Sequence, residues 1–119
     1  MKLQTSLFEI TVEGAVSTKS SSAYENWRDR LEFCLQTLPF SNVSLRNMKL
    51  SITIQVWIKP NRLDRFGRND VDNIAKSTLD SITRSGIIED DSVIYDLHVT
   101  KHAADGPQRM ILSAQEWIC

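Results

Sequence analysis

Leu50-Ser-Ile-Thr-Ile-Gln-Val-Trp-Ile58 alternates without a break: every even position is apolar, and the odd positions are Ser, Thr, Gln and Trp. A period of two sends successive side chains to opposite faces of a strand, so one face here belongs to a core and the other is less buried. Pro60 ends the run, because proline lacks the N–H that a sheet ladder requires. A strand with one buried face needs neighbouring strands and a covering layer. Trp57 stands on the polar side, and two readings are open for it. A second subunit covers it, or it rests on an adjacent strand.

The covering layer is legible on both sides of this strand. Ser22 can cap a helix running to about Leu38, where Pro39 stops it, with Tyr24, Trp27, Leu31, Cys34, Leu35 and Leu38 as its apolar stripe. Val71, Ile74, Ala75, Thr78, Leu79 and Ile82 recur at helical spacing in a second helix, and Gly86 is a natural stop. Leu7 to Val12 reads as a first strand, and Gly14 to Ser22 and Phe40 to Asn47 as loops. Ser92 to Lys101 reads as a strand with Val93, Tyr95, Leu97 and Val99 on one side. Asp105-Gly106-Pro107 is a turn, and Arg109 to Ile118 a last strand antiparallel to the one before it. The expected fold is α/β (α+β): a small mixed sheet of about four strands and two helices on one face, in the order β-α-β-α-β-β. At 119 residues the chain is expected to form a single domain spanning residues 1–119.

Nothing approaches the apolar run of roughly 18–20 residues that a membrane span requires, and Met1-Lys-Leu-Gln-Thr-Ser does not resemble a secretory leader. Cys34 and Cys119 have no metal or redox spacing, so a reducing, cytoplasmic setting is expected. His98 and His102 have no partner spacing for zinc or for a nucleophile and are read as surface residues. The net charge of −1 is a poor overall footprint for a nucleic-acid binder. Its distribution says more: Lys59, Arg62, Arg65 and Arg68 stand against Asp64 alone. That segment is either a phosphate-binding surface or a solvated basic loop. Phe66, inside it, either stacks on bases or anchors the loop on the core.

Carboxylates gather immediately after the basic segment. Asp72, Lys76 and Asp80 fall four apart and share one helix face. Asp70 and Asp72 are two apart and would diverge on a regular helix, but an Asp70 at the N-cap has non-helical backbone angles and lets them converge. Beyond Gly86, Asp90 or Asp91 can return beside them. Crowded carboxylates repel, and a divalent cation among them relieves that repulsion. Hard oxygen donors without Cys or close His suit Mg²⁺ or Mn²⁺ rather than Zn²⁺. The competing reading is structural: a capping Asp, two surface ion pairs along Asp72–Lys76–Asp80, and a solvated Glu89-Asp90-Asp91 turn.

Asp70-Val-Asp72-Asn73-Ile-Ala-Lys76-Ser-Thr-Leu-Asp80, followed by Gly86-Ile-Ile-Glu-Asp90-Asp91, resembles the signature of the RusA family of Holliday-junction resolvases. The resemblance implies a Mg²⁺-dependent (Mn²⁺ also suits) endonuclease that resolves four-way DNA junctions in recombination and repair. It implies that Asp70, Asp72 and Asp91 hold the metal, that Lys76 assists beside it, and that the enzyme works as a homodimer on branched DNA. Lys59, Arg62, Arg65, Arg68 and Lys76 are then the expected DNA contacts. The alternative is a non-catalytic nucleic-acid-binding or scaffold protein of the same fold.

Overall fold

The computed structural model describes residues 6–16, 22–40, 45, 47–63 and 70–118. Strand β1 is Ser6–Glu13, helix α1 Ser22–Gln36, strand β2 Leu50–Ile58, helix α2 Pro60–Leu63 and helix α3 Val71–Arg84. A 3₁₀ turn at Asp91–Val93 leads into β3, Ile94–Ala103, and β4 is Arg109–Glu116. The mixed α+β class and the four-stranded sheet agree with the sequence. The short α2 is an addition to the two expected helices, and it begins at Pro60, whose fixed φ suits a first helical position.

The sheet order is β1-β4-β2-β3, with β2 and β3 parallel and the other pairs antiparallel. The parallel pair requires a crossover, and α3 lies on it. β4 runs opposite to β3, as the sequence suggests, but does not pair with it; it inserts between β1 and β2. Burial explains the placement. Met110, Leu112 and Ala114 of β4 are fully buried and suit an interior strand, whereas β3 exposes Tyr95 and Leu97 and suits an edge.

Ile52, Ile54, Val56 and Ile58 of β2 are buried between the sheet and the helices, with Trp27, Leu31 and Leu35 of α1 and Ile74 and Ile82 of α3. Each such side chain contributes about 1.5–3 kcal/mol relative to exposure. The opposite sheet face is polar, and Trp57 is accommodated on it by its neighbours. His102 stacks against its ring at 4.8 Å between centroids, and the Arg109 guanidinium sits 4.2 Å from the ring centroid. The second of the two readings for Trp57 therefore holds, and a subunit is not needed to cover it. The histidines are also more engaged than the sequence suggests: His98 Nε2 lies 3.0 Å from Asp96 Oδ2, and His102 Nε2 lies 2.9 Å from Thr100 Oγ1. No helix among the described residues is long and apolar enough to cross a membrane.

The buried face of α3 carries two hydroxyls, Thr78 Oγ1 and Ser81 Oγ, that have no hydrogen-bond partner among the described residues. A buried hydroxyl without a partner carries its desolvation cost uncompensated. Thr78→Val keeps the shape and removes that cost. The expected result is a gain of about 1 kcal/mol in urea unfolding with an unchanged m-value; a loss of stability would mean that the hydroxyl is satisfied.

Candidate active site

Helix α3 has three faces, and each follows from its spacing. Ile74, Thr78, Ser81 and Ile82 are buried against the core. Val71, Ala75 and Leu79, four apart, form a second stripe, and Asp72, Lys76 and Asp80 a third. Both of these stripes line one groove of about 540 Å³, which is completed by Asp91 and by Leu97 and Val99 of β3. A second, smaller cavity of about 260 Å³ is lined by Tyr24, Asp80, Thr83, Arg84, Asp90 and Asp91. Asp80 and Asp91 line both.

The local backbone sets up this convergence. Asp70 occupies the N-cap of α3 with extended angles, φ −70° and ψ 145°, and its carbonyl accepts the first helical bond from Ile74 N at 3.0 Å. Its carboxylate makes no capping hydrogen bond, so the Asp side chain is not committed to the helix end. At the other end Gly86 takes φ +87°, a left-handed conformation that side-chain-bearing residues disfavour. Ile87 and Ile88 then bury at 2% exposure each and pull the following turn onto the molecule. The chain thereby returns with Asp91 opposite α3.

Asp90 and Asp91 part company here. Asp90 Oδ2 accepts from Ser92 N at 3.3 Å and caps the 3₁₀ turn. Hydrogen bonding from Ser92, through its hydroxyl first and its amide second, holds the Asp90 carboxyl below the usual carboxylate range. Asp91 is exposed and lines the main groove. Asp91 lines the main groove and Asp90 does not; Asp90 caps the turn and, with Asp80 and Asp91, lines the smaller cavity.

Of the expected site residues, Asp72, Lys76 and Asp91 line one groove; Asp70 stands at the helix mouth and is not among its lining residues. Asp80 joins the set, and its place on the four-residue stripe was the signal for it. Among the described residues, Lys76 forms no ion pair with Asp72 or Asp80, so the surface ion pairs of the structural reading are not formed. No three acidic, His or Cys side chains among the described residues stand as a preassembled metal cage. The donor chemistry still fits a hard divalent cation, because Asp72, Asp80 and Asp91 are exposed carboxylates on one groove with no Cys or His beside them.

The basic segment has an internal brace that the sequence concealed. Gln108 Oε1 accepts from Lys59 N and from Arg62 Nη1, each at 3.1 Å, and Arg62 Nη2 reaches Val16 O at 3.5 Å. Lys101 Nζ donates to Leu63 O at 2.9 Å. Arg62, expected at the DNA, also ties α2 to the body of the protein. Lys59 is exposed. Arg65, Phe66 and Arg68 lie outside the described residues.

The family model described as endodeoxyribonuclease RusA matches residues 9–112, which include every residue of this groove. No curated protein matches the chain.

Asp90 makes a pH-dependent contribution with a defined sign. Its folded-state carboxyl titrates below its unfolded value of about 3.9, so its contribution is present above that pH and is lost as pH falls through the folded value. Asp90→Ala is expected to lower the unfolding midpoint at neutral pH, and the gap to wild type should narrow as pH falls below the unfolded value of about 3.9. A gap that is constant across this range, measured by urea unfolding, would assign the loss to something other than the charged cap.

Proposed function

The chain belongs to the RusA endodeoxyribonuclease family, and from that premise we propose that it is a metal-dependent endonuclease that resolves four-way DNA junctions by paired phosphodiester hydrolysis, in the service of recombination and repair. The observation that carries this reading is the single groove onto which Asp72, Lys76 and Asp91 open together, between α3 and the edge of the sheet. Asp70, at the mouth of α3 with an uncommitted carboxylate, completes the acidic set.

In this reading Asp70, Asp72 and Asp91 hold Mg²⁺ or Mn²⁺, which when bound supplies Lewis-acid polarisation of the phosphate and a water of lowered pKa. The carboxylates orient the attacking water in line with the bond to be broken. Lys76 places a positive charge beside the scissile phosphate, where negative charge grows in the transition state. It sits one helical turn from both Asp72 and Asp80, and its freedom from ion pairs among the described residues leaves the ammonium available to substrate. Lys59, Arg65 and Arg68 offset the repulsion between an acidic site and a polyanion, with Arg62 serving both phosphate and the brace to Gln108. A junction must be cut at two symmetric positions, so the working form is a homodimer with one acidic groove per copy.

Two experiments test the assignment. Asp72→Asn and Lys76→Ala should each reduce single-turnover cleavage of a synthetic four-way junction by about 100-fold or more, with junction binding retained by Asp72→Asn or tightened through lost repulsion. Wild-type rates in both variants would return the stripe to a structural role, and binding without metal-dependent cleavage in the wild type would favour a non-catalytic binding protein. Separately, replacing Lys59, Arg65 and Arg68 by Gln should weaken binding to every DNA shape and reduce the slope of log affinity against log salt by about 0.9 per lost duplex phosphate contact. An unchanged slope would remove this segment from the DNA interface.

A further inference from the structure

At the edge of the sheet remote from β3, β1 pairs with β4 and with no other strand among the described residues. A cavity of about 360 Å³ opens beside it, lined by Val12 and Glu13 of β1 and by Asp29, Arg30, Phe33 and Cys34 of α1. Its surface is almost wholly apolar, because the charged residues contribute mainly their carbon stems. Phe33, at 69%, is the most exposed large hydrophobic side chain among the described residues. The core does not use its ring, which is left available to an apolar partner. The free edge has defined ends. The register of β1 shifts between Ser6 and Phe8, and at the far end Arg30 Nε donates to Glu13 O at 3.0 Å. Gly14, at φ +110°, makes room for that guanidinium, since a Cβ there would stand 2.6 Å from Arg30 Nη2. Between these ends Phe8 to Val12 runs in regular register with β4 and contains no proline, so its outer backbone groups are open to a further strand.

Charge decides the occupant. Phe8, Ile10 and Val12 turn toward the helices, and Glu9, Thr11 and Glu13 toward the open face of the sheet. Glu9, Glu13 and Asp29 are exposed and form no ion pair among the described residues. An acidic edge repels the phosphates of DNA. A second β1 is no better, because pairing it here brings glutamates onto the same face as Glu9 and Glu13. We propose that this edge binds an extended basic segment of a protein partner as an additional strand. The period of two fixes the pattern of that segment. Its apolar side chains lie on the helix side and enter the cavity against Phe33; its Lys or Arg side chains lie on the open side, within about 4.5–5.5 Å of Glu9 and Glu13 at Cβ. Main-chain bonds to Phe8–Val12 supply affinity, and the cavity and the two glutamates supply selectivity. The surface lies at the opposite edge of the sheet from the α3 groove, so a docked partner leaves that groove open.

The test uses the full chain and a fluorescein-labelled peptide, Lys-Val-Lys-Leu-Lys-Val-Lys, with binding read by anisotropy. The wild type should bind it. A counterpart with Glu in place of Lys, and a peptide of the same composition with its lysines consecutive, should not bind. Phe33→Asp and Glu9→Lys, both at exposed side chains, should each weaken binding about tenfold or more, with unchanged circular dichroism. Hydrogen exchange provides a second measurement that needs no variant: saturating peptide should slow exchange of the outward amides between Phe8 and Val12. Absence of binding by the wild type, equal binding of the consecutive-lysine peptide, wild-type affinity in both variants, or binding without protection of β1 overturns the proposal. Self-association that is lost in Phe33→Asp, measured by sedimentation, assigns the surface to a second copy and overturns it as well. None of these measurements involves DNA, so their failure leaves the nuclease reading standing.

Discussion

Burial of β2 is the constraint on which the remaining structure depends. Its inward side chains are at most 1% exposed, and a strand so enclosed needs a ladder on both sides and helices above. β4 and β3 supply the ladders, α1 and α3 the cover. Once Ile74 and Ile82 are turned onto that core, the rotation of α3 is settled, and its 3.6-residue period sends the Val71 and Asp72 stripes toward the β3 edge. The chemistry of the groove is thus a consequence of packing at residues that take no part in it.

The groove sets electrostatics against capping. An Asp at a helix start ordinarily bonds the exposed amides, and a carboxylate four residues from a lysine ordinarily pairs with it. Asp70 forms no such cap, and Lys76 forms no such pair among the described residues. Asp90 does cap, and that separates it from its neighbour: the residue held in a turn orders the loop, and the residue beside it faces the groove. Asp72, Asp80 and Asp91 line one groove, and under the proposed metal-dependent reading a bound cation would offset the repulsion among them.

Much of this was legible in the residues. Strict alternation marked β2 to its terminal residues, Leu50 and Ile58, and the periodic apolar positions of α1 and α3 found their helices, because one-dimensional periodicity is a direct record of which face is buried. Asp72, Lys76 and Asp91 were recognisable as a set because residue types and gaps together are more specific than either. Gln108 was not recognisable. It acts from 49 residues away in sequence on Lys59, and nothing about a glutamine after a turn announces a bond to a distant amide. The role of Trp57 was equally hidden, since whether a ring on a polar face is covered depends on which side chains its neighbouring strands place beside it.

The sequence by itself determined the four strands, the two long helices and the stripes of α3, all of which follow from local period and side-chain chemistry. Tertiary structure alone decided the neighbours. It placed β4 inside the sheet and β3 at its edge, because burial of Met110, Leu112 and Ala114 outweighs the proximity in sequence that would pair β4 with β3. That choice put an unpaired, partly apolar edge next to the acidic stripe, and so made one groove from two elements. Strand adjacency is a global competition for buried area, and no local pattern encodes its outcome.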